Sequence, residues 1–174
     1  MVDLVALERR IQRIEDVEEI KLLRATLARG ADDDHNLETI MPLFHEDASI
    51  SYRHPTMADR FGRHEGKIAI REYLTQVPDN IMTWSVHYWV SPIIEISEDG
   101  KTATGNWYYW GIYNMRNPET GKVEGQNAAA VFHDDYIKVD GKWLFAKFEV
   151  QLETFVNIDD KGGQYVPIQR QTEL

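Results

Sequence analysis

Four consecutive segments in the second half of this chain limit its possible folds more than any other feature. "MTWSVHYWVSPIIEI", "TATGNWYYWGIYNM", "VEGQNAAAVFHDDYIKV" and "WLFAKFEVQLETFV" are long and rich in β-branched and aromatic residues, the composition of half-buried strands. Only "SEDGK", "RNPETGK" and "DGK" separate them. Connections that short join antiparallel neighbours, because a parallel crossover needs about a dozen residues or more. The segments therefore predict a meander of long antiparallel strands.

The preceding half reads as mostly helical. Ile11, Ile14, Val17, Ile20, Leu23 and Leu27 recur every three or four residues and give one apolar stripe. Asp16 with Glu19 resembles a capping box, which would divide an N-terminal arm (about 4–14) from a helix at about 17–29. Gly30 then reads as the end of that helix and "ADDD" as a turn. "NLETIMPLF" reads as a short helix leading into a strand at Ala48–Arg53, and "KIAIREYLTQ" as a helix between Gly66 and Pro78. Helices followed by a run of strands predict an α+β fold. A single domain over 1–174 is expected, with a helical arm at 1–15 and a weakly patterned tail at 156–174.

A chain of 174 residues can bury a sizeable core. The net charge of −10 argues against nucleic acid, which needs clustered Lys and Arg. No apolar run approaches the ~18 residues of a membrane span, and no basic-then-apolar leader is visible. The absence of cysteine excludes disulfides, thiolate zinc sites and cysteine nucleophiles, and fits a cytoplasmic location. The motifs G-x-S-x-G, G-x-G-x-x-G, H-E-x-x-H and the P-loop are missing too. The histidines, His35, His45, His54, His64, His87 and His133, form no pair with metal-ligand spacing. These exclusions leave a site without metal or cofactor that works by acid–base chemistry on a small hydrophobic partner.

His87 is the foremost candidate for that chemistry. Strand alternation sets Ser85, His87 and Trp89 on one face, with Val86, Tyr88 and Val90 on the other. The plainest reading of a strand histidine is a core residue with a satisfied hydrogen bond. Imidazole also titrates near neutrality, which suits proton abstraction when a carboxylate fixes its tautomer. The carboxylates available for that are in "ADDDH". In "NWYYWGIYN", Trp107, Tyr109, Gly111 and Tyr113 share one face, and Tyr108, Trp110 and Ile112 the other. Aromatic side chains on both faces suit a broad apolar pocket on one side and a subunit interface on the other.

From "IEDVEEIKLL" to "GKWLFAKFEV" the chain resembles the SnoaL-like family of the nuclear transport factor 2-like superfamily. The resemblance implies a cone-shaped α+β barrel, a strongly curved mixed sheet whose N-terminal helices close a deep pocket. The chain resembles in particular the branches of scytalone dehydratase, bile-acid 7α-dehydratase and hexachlorocyclohexane dehydrochlorinase, cofactor-independent lyases with a His–Asp pair. Carried over, "SVHYW" gives His87 as general base, and gap-free counting back from "HEDASISY" gives Asp33 as its partner, with Asp32 one residue away. "SISYR" points to Tyr52 as a polarising phenol, "GQNAAAVF" to an inward Asn127, and Tyr113 stands where one branch has a second histidine. Ser85 and Trp89, beside His87 by strand parity, and Trp107 and Tyr109 of the aromatic strand complete the expected substrate site. The branches' helix tyrosine or lysine falls at Ala28, their strand aspartate at Gly111, and "FAKFEVQLETF" lacks the dehydrochlorinase arginine. The implied function is a lyase on a bulky aromatic or polycyclic alcohol, by water elimination or by carbon–carbon cleavage releasing a small aldehyde, with isomerisation a third route. A homo-oligomer, trimer favoured, follows from the same resemblance. The alternatives are a non-catalytic ligand-binding module or the small subunit of a ring-hydroxylating dioxygenase.

Overall fold

The computed structural model describes residues 3–33 and 35–158. The four predicted strands are present as β3 (Met82–Ile96), β4 (Thr102–Arg116), β5 (Val123–Val139) and β6 (Lys142–Asn157). They form an antiparallel meander. A first strand, β1 (Phe44–Tyr52), joins in parallel to β6, and the two-residue β2 (His64–Glu65) caps β1. The six-stranded sheet is therefore mixed, in the order β2-β1-β6-β5-β4-β3. Register shifts at Val90/Ile93, Ala129/Ala130 and Asp135/Tyr136 interrupt the long ladders. Such bulges sharpen twist and bend, which rolls the sheet into a cone.

Alternation decides what the cone encloses. Along β4 buried and exposed residues strictly alternate from Thr102 to Tyr109, so Trp107, Tyr109, Gly111 and Tyr113 face inward while Tyr108 and Trp110 face out. Along β5 the even-numbered residues from Gln126 to Tyr136 are the buried ones. The inner face would be open to water if helices did not cover it.

Helix α1 (Leu4–Asp32) covers the side nearest β3, and α4 (Lys67–Asn80) lies against β1 and β3. Short helices α2 (Leu37–Ile40) and α3 (Pro55–Phe61), with a 3-10 turn at Met41–Leu43, complete the wall. Asp3 caps α1 by accepting from the Val5 and Ala6 amides at 3.1 Å. The expected break at Asp16 does not occur. That carboxylate is buried, facing the indole N–H of Trp143 at 3.0 Å and the ammonium of Lys138, so it joins helix to sheet and caps nothing. Gly30 does not end the helix either. A Cβ there would lie 2.8 Å from Ile40, so the glycine lets α2 pack closely. The strand predicted at Ala48 begins at Phe44, α4 runs through Pro78 to Asn80, and α3 and β2 are elements without a sequence forecast. Of the tail expected at 156–174, only its first residues lie within the described chain. No helix among the described residues is long and apolar enough to cross a membrane.

Candidate active site

The last turn of α1 delivers a carboxylate to the sheet. Leu27 and Ala31, four residues apart, share the helix face that lines the cavity. Asp32 follows on that face's edge, against β3. β3 is an edge strand, so outward-facing amides there have no ladder partner. The Asp32 carboxylate uses that vacancy: Oδ2 accepts the backbone N–H of His87 at 3.3 Å and Oδ1 accepts its Nδ1–H at 2.6 Å. A carboxylate can only accept, so Nδ1 carries a proton and Nε2 is the ring nitrogen turned from Asp32. The His87 ring is stacked on Trp89, with centroids 5.3 Å apart and planes within 7°.

Asp33, the partner given by gap-free counting, is not the one that meets His87. It is the C-cap of α1, its side chain exposed and accepting from Asn36 Nδ2 at 3.0 Å. Successive helix residues differ by about 100° around the axis, so a one-residue error exchanges the sheet side for solvent. The turn expected at "ADDD" ends on Asp34, which lies outside the described residues.

The cavity beside this pair holds about 950 Å³ of unfilled space, its mouth included. Its walls are apolar, with Phe44, Ile50, Met57, Phe61, Phe148 and Phe155 among them. No lysine or arginine lines it among the described residues. The polar groups are few: His87, His35, the indole N–H of Trp89, which has no hydrogen-bond partner among the described residues, and the phenols of Tyr52, Tyr73, Tyr109 and Tyr113. The phenols are paired, Tyr52 with Tyr73 at 3.2 Å and Tyr109 with Tyr113 through their hydroxyls. Burial pushes all four up from the ordinary tyrosine range, so they stay protonated donors at neutral pH. The second pair depends on Gly111. It sits between Tyr109 and Tyr113 on the inner face and opposite His87 in the β3–β4 ladder. A Cβ there would lie 2.0 Å from the Tyr113 hydroxyl and 2.1 Å from that of Tyr109. The missing side chain is the space in which the phenols meet, 5.8 Å from the His87 ring to each ring centre.

Among the other predicted site residues, Tyr52, Trp89, Tyr109 and Tyr113 line the cavity and three do not. Asn127 lies on the outer face, because the inward positions of β5 are the even ones, Gln126 and Ala128. Trp107 is inward but sits behind the cavity wall, its indole N–H donating to the Tyr136 hydroxyl at 2.9 Å. Ser85 is buried against the end of α1, donating to the Ala31 carbonyl at 3.4 Å. Two polar lining residues, Tyr73 and His35, were not among the predicted site residues. Tyr73 sits in a helix stripe that reads as core; its ring stacks on His64 at 4.1 Å. His35 lies three residues beyond Asp32, and that closeness to the helix end was the available signal.

Behind the aromatic wall is a buried ion pair. Arg24 and Asp134, each about 1 % exposed, are hydrogen-bonded, and the guanidinium is within 4.8–5.6 Å of five aromatic ring centres. The Tyr136 hydroxyl also donates to Asp134 at 2.7 Å. Burial pushes Asp134 up to about 6, against the pull of Arg24 and Tyr136. No cluster of three or more His, Cys, Asp or Glu suited to a metal occurs among the described residues.

By sequence, residues 12–149 match the SnoaL-like domain family. No curated protein matches the chain. Among solved structures, a hexachlorocyclohexane dehydrochlorinase (LinA) Type2 superposes with a TM-score of 0.74 at 17 % identity, covering 87 % of this chain and 94 % of that one. A candidate scytalone dehydratase from Novosphingobium aromaticivorans gives 0.73 at 19 %, covering 92 % and 98 %. A candidate aromatic ring hydroxylase from the same organism gives 0.70 at 20 %, covering 83 % and 94 %. At such identities the likeness is one of fold.

Proposed function

The chain belongs to the SnoaL-like domain family, and from that premise we propose that it is a cofactor-independent lyase for a bulky aromatic or polycyclic alcohol. The observation that carries the reading is the Asp32–His87 pair beside a large apolar cavity. Asp32 holds the Nδ1 proton and stabilises the imidazolium when it forms, while Nε2 faces the substrate as base. Nε2 takes a proton from the carbon next to the carbinol carbon. The released electron pair forms the C=C bond as the C–O bond breaks, and the departing hydroxyl takes the proton back from His87 and leaves as water. The Tyr109–Tyr113 pair and Tyr52 donate hydrogen bonds to oxygen as it gains charge, the kind of preorganised stabilisation that lowers such barriers most.

Carbon–carbon cleavage releasing an aldehyde would use the same base on a hydroxyl proton, and isomerisation would return the proton to a second carbon. Dehydrochlorination fits less well, because the cavity offers departing chloride no lysine or arginine among the described residues. A dioxygenase small subunit or passive carrier would have no need of a carboxylate on a pocket histidine. We also propose a homo-oligomer, a trimer by preference, since Trp84, Tyr88, Val90, Ile93, Tyr108 and Trp110 expose half or more of their surface on the outer sheet.

The test is a panel of hydroxylated polycyclic compounds followed by mass spectrometry for loss of one water. His87→Gln and Asp32→Asn should each lower turnover about 100-fold or more, the scale of general-base loss, and Asp33→Asn should change it little. Turnover that survives in His87→Gln removes the base from the mechanism and the reading with it.

A further inference from the structure

The chain leaves α1 through a tight reversal. The amide of His35 donates to the Ala31 carbonyl at 3.3 Å and that of Asn36 to the Gly30 carbonyl at 2.8 Å. His35 itself adopts a φ of 53°, in the left-handed region that side chains other than glycine's disfavour. This reversal carries its imidazole to the cavity wall, where the residue is 9 % exposed. The ring centre is 6.4 Å from that of His87, with the planes at 79°. Neither ring nitrogen has a hydrogen-bond partner among the described residues. Neither is among the sealed, unpartnered polar atoms of the core, so each stays open to the cavity or its mouth, where the oxygen of a bound molecule can reach it.

We propose that His35 is a second catalytic residue of this pocket, an uncharged imidazole whose N–H hydrogen-bonds the substrate oxygen that departs. The inference rests on the lyase reading above and names the group that holds the leaving oxygen. The charge state follows from the surroundings. Burial and the neighbouring His87 hold His35 down to about 4, and Asp32, which pulls the other way, does not offset them. At neutral pH the ring therefore has one N–H donor and one acceptor nitrogen. His87 has given Nδ1 to Asp32 and uses Nε2 for the carbon-bound proton. Its donor while the C–O bond lengthens must therefore be a group other than His87, and His35 joins the phenols in that role without losing its own proton. The proton that completes water still comes from His87, so His35 ends each turnover as it began.

Binding measures this without knowing the natural substrate. 2-Naphthol carries the aromatic bulk and one oxygen, and naphthalene the bulk alone. In fluorescence titrations of the whole chain, His35→Phe should weaken 2-naphthol about tenfold, the value of one net hydrogen bond, and leave naphthalene unchanged. His35→Gln, which keeps a donor, should recover part of the loss. If either variant misfolds, the ¹⁵N resonances of His35 in the unaltered protein decide: 2-naphthol should shift one ring nitrogen and naphthalene neither. Equal losses for both ligands, or no loss and no shift, would overturn the role of His35 alone. Failure of the unaltered protein to bind either compound would overturn it together with the aromatic-alcohol reading.

Discussion

Gly111→Ala tests the floor of the phenol pair directly. The new methyl would sit 2.0 Å from the Tyr113 hydroxyl oxygen, 2.1 Å from that of Tyr109 and 2.3 Å from Tyr113 Cζ. Ordinary contact begins near 3.4 Å, so the Tyr109 oxygen must retreat by about 3.4 − 2.1 = 1.3 Å and the Tyr113 oxygen by slightly more. Both tyrosines are only 6 % exposed and packed among His87, Trp89 and Phe132, so neither can swing into solvent. Overpacking a rigid core costs roughly 1–3 kcal/mol, and losing the hydroxyl–hydroxyl bond about 1 more. The expected destabilisation is about 2–4 kcal/mol in equilibrium urea unfolding, read at unchanged slope. Gly125→Ala is the control: its Cβ would meet nothing closer than 3.8 Å, and it should cost under about 1 kcal/mol. A Gly111→Ala protein as stable as that control would mean the phenols do not converge over the glycine.

Removing Arg24 should be more damaging still. Arg24→Ala strands the Asp134 carboxylate in the core and should cost about 3–5 kcal/mol in the same urea assay; a loss near 1 kcal/mol would show water reaching the pair. His35 makes stability acid-sensitive. Its folded value of about 4 lies below the ordinary 6.5, so the unfolded chain binds the proton first as pH falls. This contribution is complete above about 6.5 and drains away toward 4, by up to about 3 kcal/mol. His35→Gln should lack that component, and parallel stability–pH curves for the two proteins would refute it. Light scattering should report an oligomer at micromolar concentration that Trp110→Glu disperses, and a monomer from the unaltered chain would defeat the interface.

The sheet was legible because its signal is local and repeated. Alternation in "NWYYWGIYN" and tight turns either side specify β4 and sort its residues into two faces, but both faces are aromatic and only the covered sheet shows which is inward. Asp16 shows where that legibility ends. Its apparent cap is a tertiary contact with Lys138 and Trp143, more than 120 residues away in sequence, which local pattern cannot report. At the site, residue types were readable and phase was not. Asp32 and Asp33 differ by one helical step, and Asn127 differs from an inward residue by one strand position. His35 escaped notice because a turn residue's direction depends on a left-handed φ that histidine does not advertise.

The bonds that tie α1 and β1 to the far end of the chain also set an order of assembly. Arg24 waits for Asp134, Asp16 for Trp143, and Ser49 for Lys147. On a ribosome, which releases the chain from its N-terminus, α1 emerges long before any of these partners exist. Contacts so distant in sequence slow the search for the native state, and an amphipathic helix left uncovered meanwhile is a natural client for chaperones. A nascent chain arrested before β6 should hold the β3–β4–β5 meander, with Asp134 and His87 within reach of Arg24 and Asp32, yet leave β1 unpaired and Asp16 without Trp143.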